Sequence, residues 1–133
     1  MEIRTYFGLL VIVSAVFGAR PAAAQSQPDA APAAVTPAAI AKGDTIFHTN
    51  GNCYACHGAN AEGTVGPNLT DAEWLHGDGS YDMIVTTVTK GISKEEAKKG
   101  IPMPPKGGSA ISEEDVKAVA AYVYSLGHKK SGS

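Results

Sequence analysis

The chain has 133 residues, 44% of them hydrophobic and 18% charged, a length that accommodates one domain and not two. With 11 Lys and Arg against 13 Asp and Glu the formal net charge is -2, so there is no basic surplus to neutralise a phosphate backbone and nucleic-acid binding is not expected. The 2 cysteines are too few for a disulfide scaffold, yet they stand three apart and are followed at once by a histidine.

The N-terminus reads as an export signal. Met1 and Arg4 make a mildly positive start despite Glu2, Phe7 to Phe17 is an apolar run, and Ala22-Ala23-Ala24 is a small-residue cleavage pattern. The uncharged stretch from Tyr6 to Ala19 is shorter than the roughly 20 residues a membrane-spanning helix needs. Cleavage after Ala24 and release into the periplasm is therefore the expectation, with an uncleaved anchor as the alternative. Residues 25–36, rich in Ala, Pro and Gln without a periodic apolar face, are expected to be a flexible leader. The domain proper should run over 37–128, leaving 129–133 as a tail. Such a small domain, with few aromatic residues, buries a limited fraction of its surface, and a large apolar cofactor would supply the core it lacks.

Within the domain the elements are all helical. Thr36 as N-cap and Pro37 at the first position open a helix that should end near Thr49-Asn50-Gly51. Cys53 to His57 reads as a helical turn. Thr70-Asp71-Ala72-Glu73 has capping-box spacing and predicts another short turn. A helix is expected from about Ser80 to Lys90, stopped by Gly91, and Ser93 with Glu96 suggests a short capped helix after it. The last helix opens at Ser112-Glu113-Glu114-Asp115 and carries Val116, Val119, Ala120, Val123 and Leu126 on one face. Nothing alternates with period two for long enough to make a strand, which predicts an all-α domain of about four helices with long loops.

The segment Cys53-Tyr54-Ala55-Cys56-His57 carries the chemistry. On a helical turn the cysteines at i and i+3 share a face, so both thiols can add to the two vinyl groups along one edge of a haem, and the histidine at i+4 can bond the iron. A redox dithiol would want a strand-rich context. A zinc site would want a second pair of ligands, and a disulfide across one helical turn has poor geometry. One covalently attached haem c, with its iron on His57, is the expected cofactor.

Candidates for a sixth ligand are Met83, Met103, His48, His76 and His128. Met83 falls among Ile84 and Val85 and is expected to be a core residue. Met103 lies in Gly100-Ile101-Pro102-Met103-Pro104-Pro105, where the prolines deny the backbone a helix and stiffen the loop. A thioether presented on a stiff loop is what an axial ligand requires. The expected iron ligands are His57 and Met103.

From Ala38 to Leu126 the chain resembles a class I c-type cytochrome. The likeness rests on Gly43 and Phe47 in the first helix, CYACHG, GPNLT at 66–70, MPP at 103–105 and VAAYVYSL at 119–126. It implies a fold in which the first and last helices cross through Gly43, Phe47, Val119 and Tyr122. It also implies that the carbonyl of Pro67 accepts the Nδ1 proton of His57 and that Leu69 packs on the haem. The stretch 71–77 is similar to haem domains of cbb-type oxidase subunits, although those usually carry Tyr where this chain has His76. Trp74 in that stretch could reach a haem propionate through its indole or be a core residue, and His76 is expected at the surface.

An iron held by both His57 and Met103 leaves no open position for a substrate, so the chain is not expected to be an enzyme or to take a small-molecule substrate. The main reading is a soluble, monomeric periplasmic one-electron carrier. Its partners would be redox donor and acceptor proteins, with a terminal oxidase or a dehydrogenase among the candidates. The alternatives are a membrane-tethered or oxidase-associated cytochrome c subunit and, more remotely, a haem peroxidase or gas sensor. The segment 90–106, where Lys90, Lys94, Lys98, Lys99 and Lys106 outnumber Glu95 and Glu96, is the expected partner-facing surface.

Overall fold

Thr36 opens the first helix with its side-chain oxygen accepting the Ala39 N–H at 3.1 Å, and Pro37 occupies the position where a missing N–H costs nothing. The computed structural model describes residues 32–129. It places helix α1 at Pro37–His48, α2 at Tyr54–His57, α3 at Tyr81–Lys90 and α4 at Glu113–Gly127, with a 3-10 turn at Pro105–Gly108. Among the described residues the only strand-like pairing is an isolated antiparallel bridge between Ile92 and Met103. Among the described residues the all-α architecture expected from sequence is the one observed. The expected signal segment 1–24 and residues 25–31 of the leader lie outside the described residues, as do residues 130–133. Residues 32–35 form a turn closed by a hydrogen bond from the Val35 N–H to the Pro32 carbonyl at 2.8 Å.

The caps of the other long helices explain their limits. Ser80 accepts from the Met83 N–H at 3.4 Å to start α3, and Gly91, at φ 73°, ends it. At the start of α4, Ser112 and Asp115 satisfy one another's backbone N–H groups, a complete capping box.

α1 and α4 form the main helix pair. A side chain at Gly43 would strike the Ala118 carbonyl and come within 2.9 Å of the Tyr122 Cβ, so the two backbones meet there at a distance only glycine allows. Phe47, fully buried, fills the space beside this contact and meets the Tyr122 ring edge-on at 5.4 Å between centroids. Val119 is buried beside them, and Ile84 and Val88 bring α3 against the same core.

Two expected turns are not helical. Thr70–Glu73 makes no helix because Asn68 intercepts its cap: the Asn68 side-chain oxygen accepts both the Thr70 N–H, at 2.8 Å, and the Thr70 hydroxyl, at 2.7 Å. Asp71 likewise takes the Glu73 N–H at 3.0 Å, so local side-chain bonds replace helical ones. At Ser93–Glu96 the reciprocal side-chain bonds do form, at 3.1 and 3.4 Å. They close a single turn and not a helix, because Gly100 and Pro102 follow within two turns.

Candidate functional site

One cleft gathers the residues singled out from sequence. Cys53, Cys56, His57, Pro67, Leu69, Trp74 and Met103 all line it, with apolar walls from Phe47, Ile84, Val88, Val119 and Val123. Its empty space, open mouth included, is ≈ 1330 Å³.

The floor is set by α2. The carbonyl of Cys53 accepts from both the Cys56 N–H, at 3.2 Å, and the His57 N–H, at 3.0 Å, which winds the motif into one turn. Both thiols are free; Cys53 is half-buried and Cys56 exposed. Burial pushes the Cys53 thiol up to about 11.

His57 is fixed by the loop that follows. The N–H of Gly66 and the hydroxyl of Thr64 both donate to the Cys56 carbonyl at 2.7 Å, folding the loop back under the turn. This brings the Pro67 carbonyl within 2.9 Å of His57 Nδ1. A carbonyl only accepts, so Nδ1 carries the proton and Nε2 keeps its lone pair. Burial lowers the His57 pKa, partly opposed by the Pro67 carbonyl, and so keeps the ring neutral. A neutral imidazole held through its second nitrogen is the form that binds a metal. Gly66 is a residue whose role sequence reasoning missed. A Cβ there would lie 2.9 Å from His57 Cε1 and Nδ1, and the signal was the glycine directly before Pro67.

Met103 enters from another element. Its N–H donates to the Ile92 carbonyl at 3.0 Å and its carbonyl accepts the Ile92 N–H at 2.8 Å. The thioether therefore rests on a bridge as well as on prolines. Gly91 makes the bridge possible, since a side chain there would strike the Met103 carbonyl. Leu69 is held by its N–H donating to the Ala61 carbonyl at 2.8 Å. Trp74 lines the cleft, with its Nε1 over Gly79 and its Cζ2 over Gly127.

Three expectations change. Met83 is not in the core: it is 38% exposed and does not line the cleft, because the inward face of α3 is taken by Ile84 and Val88. Its side chain lies over Gly77 instead. His76 is not a free surface residue; it is half-buried and lines the cleft. Lys106 is not available to a partner, since its ammonium pairs with Glu113 at 2.8 Å and donates to the Ile111 carbonyl at 3.0 Å.

Two thiols on one turn, a neutral imidazole with an unclaimed Nε2, a thioether and apolar walls suit an iron porphyrin bound through its vinyl groups. Among the described residues no helix is long and apolar enough to cross a membrane.

Comparison with known proteins agrees. A family described as "Cytochrome C oxidase, cbb3-type, subunit III" matches residues 38–123. The cbb3-type cytochrome c oxidase subunit CcoP of Rubrivivax gelatinosus is 46% identical over 91 residues, which cover 68% of this chain and 27% of that protein. Subunit FixP of Sinorhizobium medicae is 37% identical over 91 residues, 66% of this chain and 30% of that protein. The chain thus spans little more than a quarter of the length of the curated relatives it matches. Among solved structures, cytochrome cL of Methylophaga aminisulfidivorans shares the fold, with a TM-score of 0.54 and 23% identity over 71% of this chain and 57% of that one.

Proposed function

We propose a role that proceeds from one fact: the chain belongs to the cbb3-type cytochrome c oxidase subunit III family, as a class I c-type cytochrome domain with a covalently bound, iron-containing haem c. The proposed role is one-electron transfer in association with a terminal oxidase. The relatives, all named as oxidase subunits, favour this reading over the freely diffusing carrier taken first from sequence.

The observation that carries it is the convergence of Cys53, Cys56, His57 and Met103 on one cleft. When bound there, the haem supplies one-electron exchange between ferric and ferrous iron. Cys53 and Cys56 would tether it by thioether bonds. His57 would ligate through Nε2 while Pro67 holds Nδ1, which raises the basicity of the ligand. Met103 would hold the iron through its thioether, and its soft sulfur would favour the ferrous state. Leu69 and Trp74 would pack against the macrocycle and keep water out. A site closed on both faces binds no substrate, so in this reading the domain relays electrons and does not itself catalyse.

Residues 1–24 are read as an export signal that delivers the domain to the periplasm, with 25–36 as leader and 129–133 as tail. Lys90 and Lys94, both exposed, would supply the charge that orients the domain toward an acidic patch on its partner.

The test is reoxidation of the ferrous holo-protein by air, with and without a purified cbb-type oxidase. Acceleration by the oxidase that weakens with added salt is expected. Equal rates with and without it would overturn the oxidase association.

A further inference from the structure

Leaving aside the two cysteines and His57, four chargeable side chains among the described residues line the cleft: Glu73, His76, Lys98 and Lys99. Three of them can be cationic, and they come from two loops. His76 lies in the segment between the Asn68 turn and α3. Lys98 and Lys99 lie in the excursion between Ile92 and Met103, whose base is closed by the backbone bridge of those two residues. That excursion is shaped: Ser93 and Glu96 clasp one another, the Ala97 N–H donates to the Ser93 carbonyl at 3.0 Å, and the Gly100 N–H to the Ala97 carbonyl at 2.8 Å. The two loops meet at one cleft, since His76, Lys98 and Lys99 all line it.

A haem held there by Cys53 and Cys56 would bring its two carboxylates into this cleft as well. Carboxylates against apolar walls need cationic or N–H partners. The Trp74 Nε1 lies over Gly79 and carries no charge to neutralise them, and Glu73 would repel them. We propose that His76, Lys98 and Lys99 form the seat of the haem carboxylates, and that this charged rim sets the reduction potential of the domain. The proposal rests on the haem-bearing reading above.

Its electrostatic sense is fixed. The ferric state carries one more positive charge than the ferrous, so lysines beside the haem disfavour it directly and by neutralising the carboxylates. Both effects raise the potential. Glu96 and Glu73 work against them, which makes the rim a balance set by residues of this chain.

The experiment uses the haem-loaded protein. K98Q/K99Q, K98R/K99R and H76F are compared with the parent by redox titration at fixed pH, at low and high salt, and by proton NMR of the haem propionate groups. The midpoint potential should fall in K98Q/K99Q, more at low salt than at high, and be restored in K98R/K99R, with the axial-ligand spectrum unchanged throughout. H76F should move the propionate resonances. Potentials and propionate resonances that coincide with the parent in both K98Q/K99Q and H76F would overturn the proposal. Release of haem from the parent in acid–acetone would overturn the covalent haem reading instead, so the two failures are distinguishable. Lys98 and Lys99 are exposed, so their replacement leaves the fold standing and the comparison interpretable.

Discussion

His57 and Pro67 are joined by a hydrogen bond of 2.9 Å from Nδ1 to the carbonyl oxygen, and Gly66 alone leaves room for it. The bond decides the tautomer of the proposed iron ligand. Replacing Gly66 with Ala puts a methyl group 2.9 Å from the imidazole, and the ring or the loop must give. We expect Gly66→Ala to cost about 1–3 kcal/mol as overpacking and to alter the coordination spectrum, because the displaced ring loses its partner. Thermal unfolding and absorption spectra of the haem-loaded variant check this. A native spectrum with native stability would show that Pro67 does not orient the ligand.

The two methionines should respond in opposite ways. Met103→Ala removes the proposed thioether ligand, so the ferrous protein should gain a CO-dependent absorption change and a lower potential. Met83, at 38% exposure and away from the cleft, behaves as a surface residue. Met83→Ala should stay within about 0.5 kcal/mol of the parent and leave the spectrum untouched. CO binding by Met83→Ala but not by Met103→Ala would reverse the assignment.

The legible parts of this chain are those where local chemistry agrees with tertiary need. Thr36-Pro37, Ser80 and Ser112 cap helices whose apolar faces also meet the core, so α1, α3 and α4 were readable from caps and period. The cleft was readable because covalent attachment dictates the CxxCH spacing. Thr70–Glu73 misled because Asn68, two residues upstream, competes for the same N–H, and a capping pattern does not show its rival. Met83 misled because a run of apolar residues in a helix does not say which of them faces inward. His76 was illegible for a different reason: its place in the cleft depends on how two loops fold, and neither loop has a periodic signal.

Gly43→Ala sets two effects against one another. In an exposed helix the change would be worth up to about 1 kcal/mol in favour of Ala. Here the new Cβ meets the Ala118 carbonyl, a backbone atom that cannot turn aside. The overpacking cost of about 1–3 kcal/mol should win, and α1 and α4 should part. Denaturant unfolding should show a lower midpoint; a midpoint equal to or above the parent would mean that the helices can separate without penalty.

His48 gives the domain a pH dependence outside the cleft. Its Nδ1 lies 2.8 Å from the Asp44 carbonyl and 3.0 Å from the Asp44 carboxylate, and its Nε2 lies 2.7 Å from the Ala59 carbonyl. These oxygens only accept, so both sides are satisfied at once only by the imidazolium. The Ala59 carbonyl, then the Asp44 carbonyl, raise the His48 pKa above its ordinary 6.5; burial opposes them, and the charge of the Asp44 carboxylate adds to them by less than burial takes away. A raised folded pKa means that the protonated ring stabilises the fold. That contribution is fully present below the unfolded value near 6.5 and is lost as pH rises through the higher folded value. Since Ala59 follows the attachment turn, what loosens is the link between α1 and the CxxCH segment. The difference in urea midpoint between the parent and His48→Leu should therefore shrink from acid to alkaline pH, while His57 and the carboxylates, common to both, cancel. A difference that stays constant across that range, or grows with pH, would show that His48 does not clasp these carbonyls in its charged form.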